Sequence, residues 1–438
     1  MNNPRLKILI IAHELSPVQG SECAEGWNLV TRIAKYHDVT VLYARSNQFG
    51  NNSYVKAVND YFQVSPEIPG LTFVDIPQPK LTKLMSYIND RYHLVSPIGL
   101  PFFYFSGYKF WQKAAYKAAK RLHKINGFDI VHQLTQITFR EPGYCWELGI
   151  PFVWGPTGGT SNLPKEFHKS LSLRSRIMEK FRIFSNYFQF NYTSRIIKAN
   201  KKAALIYTYS DIDASLLGKR ASGKIKLMLD AGTYSDLSGL KKERNDTRKL
   251  KGIWCGQLSE RKAPSILLKA IAQDLVIKEM IDFQIIGDGP LKKSMQNMAK
   301  ELHLENIQWI DKVSHDEIFI LMGEADFFVH TSLREATSNV IPEALSMSLP
   351  VICHDVDGTS IAINETCGIK IPLISPESSI NGFHEAINSF VLNRDLLEEL
   401  KIGAHKRSQE ISWNNMAESI SNDYLEIVKN KKIEISKI

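Results

Sequence analysis

Short β-branched and leucine-rich runs alternate with helical patterns from one end of the chain to the other. LKILIIA (6–12), VTVLYA (39–44), TFVDIP (72–77), DIVHQL (129–134), PFVWGP (151–156) and ALIYTYS (204–210) are apolar on both faces, as strands buried in a parallel sheet must be. GWNLVTRIAKYH (26–37) and FWQKAAYKAAKRLHKI (110–125) return apolar residues every three or four positions, which predicts helices between those strands. A polar, basic interval, LKKERNDTRKLK (240–251), breaks the pattern and reads as a linker or an exposed turn. The alternation resumes with GIWCGQL (252–258), DFQIIGDGP (282–290), IQWID (307–311), DFFVHTS (326–332) and PVICHD (350–355). Strands alternating with helices predict an α/β chain of two doubly wound domains, at 1–240 and 241–410. ISWNNMAESISNDYLEIVKN (411–430) predicts a closing amphipathic helix within 411–438, able to cross back to the first domain.

Composition adds bounds. A chain of 438 residues is long for one hydrophobic core and comfortable for two. Its five cysteines (Cys23, Cys145, Cys255, Cys353 and Cys367) are scattered and form no Cys-x-x-Cys. That fits reduced thiols in a cytosol better than a disulfide framework or a zinc site. The amino-terminal apolar run is too short for a signal peptide, and no stretch approaches the ~20 apolar residues of a spanning helix. The longest uncharged run, LVSPIGLPFFYFSGY (94–108), is broken by Pro97 and Pro101. Net charge is +8, and the stretch from Lys165 to Lys202 holds ten Lys or Arg against Glu166 and Glu179. Because FRIFSNYFQFNY lies inside it, this segment suits an anionic membrane surface or nucleic acid. It equally suits an amphipathic helix pair with aromatics on the core and lysines in water.

In open parallel sheets ligands sit beyond the carboxyl ends of the strands, so the loops there are the places to search. ELSPVQGSECAEGW (14–27) follows the first strand, and Gly20 and Ser21 can let backbone amides approach a phosphate. It is not Gly-x-Gly-x-x-Gly, so the dinucleotide fingerprint is absent. GQLSERKAP (256–264) occupies the same place in the second half, where Arg261 and Lys262 can clamp a diphosphate or stand as solvated charges. IGDGP (286–290) is a tight strand-to-helix turn needing Gly287 and Gly289. His132 ends DIVHQL, and WGPTGGTS (154–161) supplies three glycines after the next strand. In REATSNVIPEAL (334–345), Glu335 and Glu343 stand eight apart, a spacing that chance alone produces about five times among this many acids. Their context is more telling. Glu335 follows a strand, Pro342 is placed to open a helix, and Glu343 falls in that helix's first turn. The amides from Ala336 to Val340 can then face an anion at the positive helix end.

Together these residues resemble the family 4 glycosyltransferases, retaining enzymes of the GT-B fold, in which two Rossmann-like domains face a central cleft. HTSLREATSNVIPEALSMSLPVI looks like that family's Glu-x7-Glu segment, GQLSERK like its donor-phosphate segment, and PVQGSECAEGW like its amino-terminal glycine-rich loop. IGDGP recurs in the family, and PFVWGPTGG is similar to a stretch of a bacterial surface-polysaccharide branch. The resemblance implies that Glu335 contacts the donor sugar's hydroxyls and Glu343 the ribose. Arg261 and Lys262 would hold the diphosphate with Gly20, Ser21 and the amides near Asn339 and Val340, and His132 would face the transferred sugar. It implies a UDP-linked sugar donor, a glycan or lipid-linked acceptor of surface-polysaccharide synthesis, and no metal or other cofactor. The chain departs from the family's habits at Gln257, where arginine is frequent, and at Ala263, Ala336 and Leu349, where glycine is common. The frequent His-x-His reads His132-Gln133-Leu134 here.

These expectations amount to a cytoplasmic transferase, peripheral at the inner face of the cell membrane. A sugar-nucleotide epimerase of the same fold is the alternative. A phosphorylase would need a cofactor lysine site that the chain does not display. A nucleic-acid-binding protein would use the pI near 9.0, but no recognition helix or RNA-binding module is present, so nucleic acid is not an expected partner.

Overall fold

A computed structural model describes residues 4–46, 51–90, 101–234 and 249–436. The chain forms two compact units, one of Met1–Thr160, Ser185–Asp230 and Trp413–Ile438, the other of Ser161–Phe184 and Ala231–Ser412. Most of the interval 240–251, and the part of the uncharged run from 94 to 100, lie outside the described residues.

The first unit is built on a seven-stranded parallel sheet: β1 (Lys7–Ala12), β2 (Asp38–Ala44), β3 (Leu71–Ile76), β4 (Ile130–Gln133), β5 (Phe152–Thr157), β6 (Ala203–Thr208) and β7 (Lys224–Leu227). Their spatial order is β3-β2-β1-β4-β5-β6-β7. The strand order reverses between β1 and β4, where Ile10 pairs with His132. Central strands are buried on both faces, which is why they read as unbroken apolar runs in the sequence. The second unit repeats the plan with β8 (Leu250–Cys255), β9 (Ile281–Ile286), β10 (Ile307–Ile310), β11 (Phe327–His330), β12 (Val351–His354) and β13 (Gly368–Ile371). Its order is β10-β9-β8-β11-β12-β13, with the reversal between β8 and β11.

Two strands escape the sequence pattern, and both are sheet edges. KIKL of β7 is mostly exposed, and GIKI of β13 is half-buried. An edge strand packs fewer neighbours, so it needs fewer apolar residues to be stable there. Two helices begin earlier than expected, at Glu22–Ile33 and at Pro101–Asn126, the latter opening on a proline whose missing N–H costs nothing there.

The division of the chain departs from a single cut near 240. Leu163, Phe167 and Leu171 are buried in the hydrophobic core of the second unit, with Trp254, Leu258 and Leu333. The closing helix, Trp413–Ser436, belongs to the first unit and packs on Glu22–Ile33. Its polar contacts are specific. Arg32 Nε donates to Asn414 Oδ1 (3.1 Å), Tyr207 donates its hydroxyl to Asp423 (2.7 Å), and Lys226 Nζ pairs with the same carboxylate at 2.9 Å.

Tyr424, on that helix, is fully buried and reaches His132 on β4, with 2.5 Å between its hydroxyl and Nδ1. Removing one member of a buried hydrogen bond leaves the other unsatisfied, at about 1–3 kcal/mol. Tyr424→Phe should therefore lower the free energy of unfolding by that amount, read as a lower denaturant midpoint at an unchanged m-value, and an unchanged midpoint would show that the contact contributes nothing.

Candidate functional site

The second sheet places two loops side by side at its reversal. β8 ends at Cys255 and runs through Gly256 into the turn Glu260–Lys262, while β11 ends at His330 and leads to Glu335. Their joining is backbone-deep. Thr331 Oγ1 donates to the Lys262 carbonyl (2.7 Å) and receives Trp254 Nε1–H (3.0 Å), and Leu333 N–H donates to the Arg261 carbonyl (2.9 Å). The IGDGP loop is laced beneath, with Gly256 N–H on Ile286 O (3.0 Å) and Leu258 N–H on Asp288 O (2.9 Å). A Cβ on Gly287 would lie 2.0 Å from the Gly256 carbonyl oxygen, so that glycine serves the close approach of the two loops.

On this platform Lys262 Nζ lies 2.5 Å, and Arg261 Nη1 2.7 Å, from the same oxygen, Glu335 Oε2. Ser332 Oγ donates to that oxygen at 3.3 Å, and Lys262 also reaches Ser338 Oγ at 3.3 Å. The three contacts to the carboxylate all end on Oε2, from Lys262, Arg261 and Ser332. Both cations act on one carboxylate, and the Glu335 backbone N–H donates to a second, Asp357 Oδ2, at 3.3 Å. Lys262 is buried, whereas Arg261 is exposed and its Nη1 also donates to the Arg334 carbonyl at 3.0 Å.

The titration of Glu335 follows from this. Burial by itself would raise its pKa, but Lys262, Arg261 and His330 outweigh burial and hold it at about 2. His330 Nε2 is 4.0 Å away, is buried, and has no hydrogen-bond partner among the described residues. Burial first, and then Lys262, push the His330 pKa well below the usual value, so the two basic side chains carry the effect on Glu335. Lys262 is itself pulled below the ordinary lysine range by burial, against the attraction of Glu335.

Glu343 is buried on the helix Val340–Ser346, where its Oε1 accepts from His315 Nε2 (2.8 Å). That hydrogen bond, opposed by partial burial, raises the His315 pKa. The helix starts at Val340, so Pro342 is its third residue and not its first. Ile341 N–H is taken by Ser338 O (3.0 Å) and Pro342 has none to offer, so the amides of Asn339 and Val340 remain at the open end. Ala263 adopts the left-handed region (φ 45°, ψ 48°), which accounts for the glycine common at that position in the family it resembles.

The remaining expected residues belong to the first unit. Gly20 is uncrowded, with nothing within 4 Å of a Cβ built on it. Ser21 caps the helix Glu22–Ile33 with φ 58°. Burial, with the charge of Glu14, pushes Glu22 up to about 8, and burial holds Glu25 well above the carboxylate range. Neither side chain then brings full negative charge to this turn at neutral pH.

His132 does not fit the role of facing a sugar. It is completely buried, and its Nε2 lies 2.6 Å from the Gly155 carbonyl oxygen. A carbonyl can only accept, so Nε2 carries the proton and Nδ1 accepts the Tyr424 hydroxyl. Both ring nitrogens are spent inside the first unit. Burial takes the pKa down to about 4, which keeps the ring neutral in this role.

Residues at the site that the sequence did not single out are Arg334, Ser338, His315, His330 and Glu179. Arg334 Nη1 lies 2.9 Å from Glu179 Oε1, which anchors the residue next to Glu335. The one signal for this pair was Glu179 itself, an acid inside a strongly basic segment. His315, His330 and Ser338 give no pattern of their own.

Residues 240–407 match the family described as Glycosyl transferases group 1, so this part of the chain carries a group 1 glycosyltransferase domain. The chain is 28% identical over 177 residues to an uncharacterized glycosyltransferase of Methanocaldococcus jannaschii, covering 40% of this chain and 48% of that protein. It is 24% identical over 157 residues to the GPI3 subunit of a phosphatidylinositol N-acetylglucosaminyltransferase of Saccharomyces cerevisiae, covering 36% of this chain and 34% of that one. The matched regions thus span about half of the first relative and a third of the second. Among solved structures, sucrose-phosphate synthase from Thermosynechococcus elongatus superposes with a TM-score of 0.63 at 14% identity, covering 97% of this chain and 100% of that one. The fold is GT-B.

A carboxylate whose pKa falls on folding stabilises the protein above its unfolded pKa and loses that contribution as pH falls through the folded value. For Glu335 the window runs from about 4.5 down to about 2. The shift corresponds to on the order of 3 kcal/mol at neutral pH. Glu335→Gln should cost about that much at pH 7, and the difference from wild type should shrink as pH drops below 4.5. Urea midpoints across a pH series check this, and a pH-independent difference would refute the electrostatic account.

Proposed function

We propose that this protein is a retaining glycosyltransferase. It moves a sugar from a nucleoside diphosphate, UDP, to a glycan or lipid-linked glycan of surface-polysaccharide synthesis. It works in the cytoplasm, peripheral to the inner face of the cell membrane. The observation that carries the reading is the pair of cations converging on one carboxylate oxygen at the reversal of the second sheet.

In this reading Arg261 and Lys262 turn from Glu335 Oε2 toward the diphosphate and offset the charge that grows there as the sugar leaves. Glu335 Oε1 accepts from a sugar hydroxyl, Glu343 from the ribose, and the Asn339 and Val340 amides donate to phosphate. The C1–O bond to the diphosphate breaks while the acceptor oxygen bonds to C1 on the same face. The acceptor's proton passes to the departing phosphate oxygen. Few side chains do chemistry in such a step; placement and charge stabilisation dominate. His132 has no part in it. A relative named for phosphatidylinositol as its acceptor is in keeping with a lipid-borne substrate. No helix among the described residues is long and apolar enough to cross a membrane.

Calorimetric titration with UDP-, GDP- and ADP-sugars tests the donor. Wild type should bind one class selectively. Lys262→Ala, Glu335→Ala and Glu343→Ala should each weaken binding, Lys262→Ala by about thirtyfold or more, since a lost charged contact to phosphate is worth about 2 kcal/mol. Binding by wild type that none of the three changes weakens would place the nucleotide elsewhere. Conversion of the donor sugar without any acceptor would favour the epimerase. Gly20 gives a separate test of the first unit. A Cβ there meets nothing within 4 Å, so Gly20→Ala should keep its melting temperature and lose donor affinity. Unchanged affinity would remove Gly20 and Ser21 from the site.

A further inference from the structure

The helix Leu173–Tyr192 is inside out. Side chains step about 100° around a helix axis per residue, so Leu173, Ile177, Phe181, Phe184, Phe188 and Tyr192 fall within an arc of about 100°. All six are exposed, by 54% to 70%. The opposite face carries Glu179, Asn186 and Phe190, all buried. Two of these are polar and held by specific partners. Glu179 is paired with Arg182 and Arg334 at 3.1 and 2.9 Å, while Asn186 donates to Gly159 O (3.2 Å) and accepts from Arg140. The rings that a packing helix would bury are in water, and the polar groups it would solvate face the protein. Among the described residues, every strongly exposed phenylalanine is on this helix. The packing alternative raised by the sequence, with the aromatics of 165–202 on the core, holds for Phe167 and Phe190 but not for Phe181, Phe184, Tyr187, Phe188 and Tyr192, which are exposed.

Charge selects the occupant of this face. Exposed Arg174 and Lys180 border the stripe on its two sides, and the surrounding segment, 165–202, holds ten basic residues against two acids. A second copy laid on the stripe would bring like charges together. An anionic lipid surface would neutralise them while the rings enter the headgroup boundary and the tyrosines stay at its edge. We propose that the exposed face of the Leu173–Tyr192 helix docks on an anionic phospholipid bilayer, with the helix lying in the plane of the interface. This deepens the reading of a transferase at a membrane face, but adsorption requires neither donor nor transfer.

The test is sedimentation of the full chain with phosphatidylcholine vesicles, with and without about a third phosphatidylglycerol. Wild type should partition onto the anionic vesicles, weakly onto the neutral ones, and less as salt rises. Phe181→Gln/Phe184→Gln/Phe188→Gln should reduce partitioning about tenfold or more, with melting temperature and nucleotide-sugar affinity unchanged. Lys180→Glu, a single exposed change, should reduce it in the same direction should the triple variant fold poorly. Wild type left in the supernatant with anionic vesicles would overturn the proposal. So would variants that partition as wild type does, or a dimer that the triple variant dissolves while vesicles bind neither form. Because lipid binding and donor binding are read separately, loss of the transferase reading would leave this proposal standing, and its own failure would leave the transferase reading intact.

Discussion

Taking a lysine ammonium out of water requires a counter-ion that cannot leave, and the second unit is arranged around that requirement. Lys262 and Glu335 come from loops 73 residues apart in sequence, and they meet because β8 and β11 are neighbours at the reversal of strand order. Hydrogen bonds to the backbone keep them together: the Thr331 hydroxyl on the Lys262 carbonyl, Leu333 N–H on the Arg261 carbonyl, and IGDGP laced under Gly256. A Cβ on Gly358 would sit 2.6 Å from the Ala336 carbonyl, so the loop bearing Glu335 also depends on a missing side chain from the far side. Removing either ion would strand the other, which is a costlier state than having neither.

Arg334 extends the same logic outward. Glu179 stands on the buried face of a helix whose apolar residues point away from the protein, and it accepts from Arg182 and Arg334 together. The residue beside Glu335 is thereby tied to the Leu173–Tyr192 helix. In the first unit a long helix, Pro101–Asn126, shows the ordinary arrangement instead. It buries Tyr108, Trp111, Ala115 and Ala119 and exposes Lys109, Lys113, Lys117, Lys120 and Lys124 one helical turn apart. Two basic, aromatic-rich segments that look alike in composition therefore do opposite things with their rings.

Much of the fold was legible in the sequence. Eleven of the thirteen strands stand where apolar runs predicted them, and for the central ones burial on both faces of a parallel sheet demands such runs. β7 and β13 were missed because, at an edge, a short strand holding lysine (KIKL, GIKI) suffices, whereas the edges β3 and β10 keep apolar runs. The loops that hold Arg261, Lys262 and Glu335 were legible too, since strand ends followed by glycine, by cations or by a carboxylate can be read one loop at a time. The place of His132 could not be read from the sequence for a corresponding reason. A histidine at a strand end looks the same whether its ring is free or spent, and the two groups that spend it, the Gly155 carbonyl and Tyr424, lie 23 and 292 residues away.

The sequence by itself determined the α/β alternation, the existence of two sheets, and the loops in which Arg261, Lys262, Glu335 and Glu343 stand, because those features are set by local periodicity and short spacing. Only the tertiary structure decided that Arg261 and Lys262 share one oxygen of Glu335, that His315 takes Glu343, and that residues 161–184 pack in the second unit. It alone turned the rings of Leu173–Tyr192 outward. Such facts depend on contacts between segments far apart in the chain, and a one-dimensional pattern contains no record of which distant groups will be brought within a hydrogen bond of each other.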